Sequence, residues 1–234
     1  MSDRTILITG AAGALGRAAV ETFLEQNARL ILVDRESSLL TAAFPRLAQD
    51  GRHLLLAGDV TAEASMTNVV RQAIAHSGRI HALVHIAGGF TMGEATHATA
   101  RATWDGMVNL NAWSFIATTQ ALVPHMIANG GGSIVAVSAR AAAQGSALMG
   151  AYCAAKSALQ RLVESLSAEV RAHRINVNSI APSLIDTPAN RAAMPEADFS
   201  QWVPPRKLAQ TMAFLTSEAA SEIHGDHIIV AGLS

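Results

Sequence analysis

The chain has 234 residues, of which 50% are hydrophobic and only 15% charged, and its formal net charge is -1. This composition demands a large buried apolar core and excludes both a disordered polyelectrolyte and a basic nucleic-acid-binding arm. At this length one compact domain removes roughly 70 to 75% of its unfolded surface from water, so neither disulfides nor a structural metal is needed. The only cysteine, Cys153, has no internal bridge partner, and Met1-Ser2-Asp3-Arg4 leads into a short apolar run instead of a signal-peptide core. A reducing cytoplasm is the expected compartment.

Along the chain, short β-branched or leucine-rich runs alternate with longer Ala-rich amphipathic stretches, as in βαβ units on a parallel sheet. Strands are predicted from Thr5 to Thr9, Leu30 to Val33, His53 to Ala57, Ala82 to Ala87, Ser133 to Val137, Arg174 to Ile180 and His227 to Val230. Helices are predicted to start near Ala14, Glu36, Ala62, Thr99, Ala151 and Pro204. Seven strands imply an α/β fold with a doubly wound parallel sheet and helices on both faces, in a single domain spanning residues 1–234. From Gly106 to Ala139 there is no charged side chain, but Asn109, Asn111, Thr118, Thr119 and His125 interrupt the run. It reads as a buried helix and a buried strand, not as a membrane span. The Pro-rich stretch between Pro182 and Pro205 reads as a mobile loop, with residues 183–205 the candidate substrate segment.

After the first strand, Thr9-Gly10-Ala11-Ala12-Gly13-Ala14-Leu15-Gly16 forms a glycine-rich turn that opens a helix. Glycines at Gly10, Gly13 and Gly16 permit a tight turn and let backbone N–H groups approach a pyrophosphate at the positive helix end. Asp34 ends the second strand, where its carboxylate would accept hydrogen bonds from an adenosine ribose and repel a 2'-phosphate. Arg35 beside it could pair with such a phosphate, but no basic residue lies inside the turn, so NAD is expected over NADP. The chain's one tyrosine, Tyr152, stands four residues before Lys156, which puts both on one helix face. An ammonium there is expected to lower the phenol's pKa and fit it for proton transfer. Ser138 closes the fifth strand at the edge where doubly wound sheets bind ligands. Asn111 sits within the uncharged helix, where an Asn costs helix propensity unless it has a task.

With these residues in place the chain resembles the short-chain dehydrogenase/reductase family over nearly its full length. The family's Thr-Gly-x-x-x-Gly-x-Gly is similar to Thr9 through Gly16, its adenine-contacting Asp matches Asp59 before Val60, and its Tyr-x-x-x-Lys matches Tyr152 and Lys156. Ser138 matches the catalytic serine and Asn111 the proton-relay asparagine. Pro182 and Thr187 match residues that flank the nicotinamide amide. The resemblance implies a Rossmann-type domain that binds NAD(H) through Gly10, Gly13, Leu15, Gly16, Asp34, Asp59, Val60, Ala87, Gly88, Pro182 and Thr187. It implies a small-molecule carbonyl or alcohol substrate, and a homodimer or homotetramer built on the Asn111 and Tyr152 helices.

The departures are specific. The family's Asn-Asn-Ala-Gly reads His85-Ile86-Ala87-Gly88, which changes local bonding and not the chemistry. Ser138 and Tyr152 are fourteen apart, one more than the commonest family spacing, so the loop between them is expected to bulge. The run from Asp186 to Trp202 and Ala87-Gly88-Gly89-Phe90 resemble the quinonoid dihydropteridine reductase branch, whose substrate is the alternative to an ordinary ketone or alcohol. Phe199, Trp202 and Met194 are expected either to line the substrate mouth or to anchor this loop. Nine histidines invite a metal, yet neither His81 with His85 nor His224 with His227 has a carboxylate or thiol to complete a site, so no metal is expected.

Overall fold

The computed structural model describes residues 4–233; Met1, Ser2, Asp3 and Ser234 lie outside them. Its centre is one parallel sheet of seven strands: β1 (Thr5–Thr9), β2 (Arg29–Asp34), β3 (Leu54–Ala57), β4 (Ala82–His85), β5 (Gly132–Val137), β6 (Ile175–Pro182) and β7 (His227–Val230). The spatial order is β3-β2-β1-β4-β5-β6-β7. The order therefore reverses between β1 and β4, the switch point at which open α/β sheets leave a crevice beyond their strand ends.

Strand periodicity builds a core on each side of the sheet. Ile6, Ile8, Leu30, Leu32, Val84 and Val135 face α1 (Ala14–Glu25), which packs with the later helix at Pro205–Leu215. Leu7, Ile31, Val33, Leu83, Ile134 and Val177 face the opposite layer. That layer includes α3 (Glu63–Ser77), which follows α2 (Ser37–Ala43), and the helices after β4 and β5. Because the inner strands are covered on both faces, they read as continuous apolar runs.

The uncharged stretch after β4 is helical but not uniform. It comprises α4 (Arg101–Val108), one π-helical turn at Asn109–Trp113 and α5 (Ser114–Ala128). Periodicity alone does not reveal such a turn, because five residues are too few to carry a period of their own. After β5 comes α6 (Gly150–Val170), which carries Tyr152 and Lys156. None of the described helices is long and apolar enough to cross a membrane.

Several boundaries differ from the sequence expectations, and β5 ends at Val137, so Ser138 follows the strand instead of closing it. β4 ends at His85, so Ile86 and Ala87 leave the sheet instead of extending it, and β6 runs on to Pro182. The segment expected to be a mobile loop after β6 holds α7 (Pro188–Ala193) and a 3-10 turn at Phe199–Gln201 before α8 (Pro205–Leu215). Thr187 caps α7 by accepting the Asn190 N–H at 3.2 Å, and Pro188 supplies the fixed φ favoured at a first helical position. Asp186 holds Arg191 through two hydrogen bonds of 2.5 and 2.8 Å, and the Arg191 guanidinium lies 4.7 Å above the Phe199 ring. Phe199 in turn packs on Trp202 at 4.8 Å, and Trp202 is buried, so both aromatics anchor the segment.

Candidate active site

The turn after β1 is shaped by close approach. Gly10 has a φ of +67°, open to glycine, and a Cβ there would lie 2.9 Å from the Ala87 backbone nitrogen. At Gly16 a Cβ would meet the Gly10 carbonyl at 2.2 Å, so the helix packs directly on the turn. Gly13 is the N-cap of α1, which has no side-chain cap and no acidic residue in its first turn. The leading amides of that helix are thus left to an external acceptor, with the positive end of the dipole behind them. A cleft of about 490 Å³ opens there, lined by Gly10, Gly13, Leu15, Gly16, Ala87, Gly88 and Thr187 of the expected set, together with Ile86, Val137, Ile185, Pro188 and Ala189. A glycine turn, an uncapped helix start and an apolar wall fit a dinucleotide pyrophosphate and a nicotinamide ring.

Asp34, Asp59 and Val60 do not line this cleft and stand at the ends of β2 and β3. Asp34 also serves the turn itself, because its Oδ2 accepts the Ala12 N–H and its Oδ1 the Arg35 N–H, both at 2.9 Å. Asp59 accepts from the Thr61 amide at 2.8 Å and the Thr61 hydroxyl at 2.7 Å, which fixes its carboxylate at the surface.

Beyond Gly88 the polar groups converge. A Cβ on Gly88 would fall 2.9 Å from Asn111 Oδ1 and 3.3 Å from Lys156 Nζ, so the bare glycine leaves room for an amide and an ammonium on either side of it at the mouth of the cleft. The π turn presents Asn111, which is buried, accepts the Gly89 N–H at 3.1 Å and donates to the Met107 carbonyl at 3.1 Å. Lys156 is also buried and donates to the Val137 carbonyl at 2.9 Å, while Ser138 Oγ donates to the Lys156 carbonyl at 3.5 Å. Tyr152 lies one turn before Lys156, half-buried, with the Phe90 ring set edge-on at 4.9 Å. Pro182 closes β6 at the same edge of the sheet. The extra residue between Ser138 and Tyr152 is taken up by a 3-10 turn at Arg140–Ala142 and by Leu148 at a φ of +62°.

Electrostatics correct one expectation. Burial, reinforced by Cys153, pushes the Tyr152 phenol up to about 12, where a lowered value was expected from the neighbouring lysine. Burial also pushes the Lys156 ammonium down to about 8, and its proton is directed to a backbone carbonyl. Desolvation is the largest cause for both groups.

Sequence reasoning passed over Val137, Ile185, Pro188 and Ala189; the first carries only an apolar signal, while the others flank Thr187 and could have been read from it. It also treated His85 as incidental. That side chain is buried, with Nδ1 3.0 Å from Thr9 Oγ1 and Nε2 3.1 Å from Ser114 Oγ. Three other histidines accept from strand-leading amides: His81 from Thr5 at 2.9 Å, His53 from Leu30 at 3.1 Å and His125 from Ile80 at 3.3 Å. Among the described residues no group of three or more His, Cys, Asp or Glu side chains is arranged to hold a metal.

Comparison with known proteins identifies a family. The short chain dehydrogenase family profile matches residues 4–198. A sorbitol dehydrogenase of Cereibacter sphaeroides is 35% identical over 188 residues, 80% of this chain and 72% of its own. The NAD-dependent glycerol dehydrogenase of Listeria innocua serovar 6a is 30% identical over 241 residues, covering 99% of this chain and 94% of that one. Among solved structures, L-sorbose reductase from Gluconobacter frateurii complexed with NADPH and L-sorbose superposes with a TM-score of 0.88 at 27% identity, over 99% of this chain and 96% of that one.

Burial pushes the His85 imidazole from 6.5 down to about 3, with the Lys156 charge acting in the same direction. Between these two values the unfolded chain binds the proton and the folded chain does not, so the His85 contribution to stability is complete above pH 6.5 and declines as pH falls toward about 3. Urea unfolding of His85→Asn between these limits is expected to show a stability slope shallower than wild type by about 1.4 kcal/mol per pH unit. Parallel slopes would mean that His85 is charged in the folded protein.

Proposed function

Because the chain belongs to the short-chain dehydrogenase family, we propose that it transfers hydride between a nicotinamide dinucleotide, NAD(H) in preference to NADP(H), and a small secondary alcohol or ketone. The observation that carries this reading is the placing of Asn111 and Lys156 beside Gly88, at the mouth of the glycine cleft. When bound, the nicotinamide ring supplies the hydride acceptor or donor, and the protein supplies alignment and charge.

The roles follow from position. Gly10, Gly13, Leu15 and Gly16 hold the pyrophosphate at the start of α1, Asp34, Asp59 and Val60 hold the adenosine side, and Ala87, Gly88, Pro182 and Thr187 frame the nicotinamide side. Lys156 holds the nicotinamide ribose. Ser138 orients the substrate oxygen and Tyr152 moves the proton. A phenol near 12 holds its proton at neutral pH, the form that carbonyl reduction requires. Asn111, fixed by the π turn, completes the proton path.

The relatives' names point to polyols and a ketose as the first substrates to try. The alternative, reduction of a quinonoid dihydropterin, rests on the run from Asp186 to Trp202. Two of its aromatics, Phe199 and Trp202, are engaged in anchoring the segment and not in facing the cleft. The carbonyl and alcohol reading is therefore preferred. A homodimer or homotetramer through α4, α5 and α6 accompanies it, supported by the exposed Trp104 and Ile127 on those helices.

Turnover of glycerol, D-sorbitol, L-sorbose and simple ketones, followed by nicotinamide absorbance, is expected to identify a substrate. Tyr152→Phe is expected to lower kcat by about 10³-fold while leaving NADH affinity unchanged, and retained turnover would remove Tyr152 from proton transfer. Asp34→Asn keeps an acceptor for the Ala12 amide but loses the charge, so the ratio of NADPH to NADH affinity should rise about tenfold. An unchanged ratio would place cofactor choice elsewhere. Light scattering should give a mass at least twice 24.4 kDa, and a monomer would contradict the helix-face assembly.

A further inference from the structure

The bonding around His85 fixes the sense of every proton in it. Ser114 Oγ commits its only proton to the Leu110 carbonyl at 2.7 Å, so toward His85 it can only accept, and Nε2 carries the ring proton. Nδ1 is then bare and accepts from Thr9 Oγ1, which itself accepts the Ala87 N–H at 3.3 Å. Donors and acceptors thus run in one direction, from the Ala87 amide through Thr9, His85 and Ser114 to the Leu110 carbonyl.

The two ends of this chain belong to different halves of the site. Thr9 precedes Gly10, and Ala87 lies against Gly10 in the cleft wall. Leu110 and Ser114 bracket Asn111, in and directly after the π turn. A π turn departs from the four-residue bonding of an α-helix. At the end of this one the Ser114 hydroxyl donates to the Leu110 carbonyl and accepts from His85. The Phe115 ring, edge-on to the imidazole at 5.9 Å, closes the apolar side.

We propose that His85 is a positioning residue that couples the dinucleotide cradle to the turn presenting Asn111, although it lines neither the cleft nor the substrate mouth. The proposal rests on the nicotinamide reading above and adds to it a residue that acts through Thr9 and Ser114. A histidine suits the task because its two ring nitrogens point in opposite directions, one accepting and one donating, across a span that a shorter amide cannot bridge at both ends.

Three variants separate the two sides. His85→Leu removes both bonds, Thr9→Val removes the cradle side and Ser114→Ala the π-turn side. The NADH dissociation constant, read by nicotinamide fluorescence, is expected to rise about tenfold in His85→Leu and Thr9→Val and to stay within about twofold in Ser114→Ala. At saturating NADH, kcat with the substrate found in the panel above should fall about tenfold in His85→Leu and Ser114→Ala. Imidazole nitrogen shifts of the wild-type protein should show a neutral ring protonated on Nε2. A purely structural role would lower the melting temperature and leave both constants unchanged, which overturns the proposal, as does a ring protonated on Nδ1. Should His85→Leu fail to fold, the opposite effects of Thr9→Val and Ser114→Ala remain the test, and identical effects from the two overturn the coupling. Absence of NADH binding by wild type would overturn the nicotinamide reading and the coupling with it, whereas binding that none of the variants alters overturns the coupling alone.

Discussion

The side chain missing at Gly88 is the constraint on which the site depends. An amide oxygen and an ammonium nitrogen stand within 3.3 Å of where its Cβ would be, and each arrives from a different helix. The loop after β4 must therefore pass between α6 and the π turn with no side chain of its own at that point. A methyl group there would push Asn111 and Lys156 apart, and both are buried among groups that leave little room to yield. The shortness of β4 serves the same end: by leaving the sheet at His85, the chain brings Gly88 over the switch point instead of continuing alongside β5.

Around that point burial, more than charge pairing, governs proton affinity. Lys156 and Tyr152 share a helix face, yet each moves away from its ionised form, because taking a charge out of water is costly. The ammonium recovers part of the loss by donating to the Val137 carbonyl, at the end of β5. Asp34 shows the same economy of placement, since its carboxylate braces the glycine turn through the Ala12 amide while ending the strand where a ribose would lie.

Much of this was legible in the sequence, for identifiable reasons. Strand periodicity, the glycine spacing of the turn and the Tyr-to-Lys interval are local patterns, and each is enforced within a few residues of itself. The π turn at Asn109–Trp113 was not legible, because five residues carry no period of their own and the His85–Ser114 contact beside it joins residues 29 apart in sequence. Nor was the order of the stretch between Pro182 and Pro205, whose prolines and small residues read as a loop; the Asp186–Arg191 pair and the Phe199–Trp202 packing make it a structure. The phenol's raised pKa was missed because helical spacing reports a neighbour's charge and says nothing of the water excluded around it.

The base of that same segment is sewn to itself. The Val203 amide donates to the Leu184 carbonyl at 2.8 Å and the Asp186 amide to the Val203 carbonyl at 2.9 Å, so the chain leaves the sheet and returns at nearly one place. An excursion that closes on its own stem is a cassette: its interior can be lengthened, shortened or exchanged at little entropic cost, because the ends are already joined. A lineage altering only residues between Asp186 and Trp202 would keep β6, α8 and the glycine turn untouched while presenting a new wall to incoming molecules. Because Thr187, Pro188 and Ala189 line the cleft, any such exchange also reshapes the cleft wall.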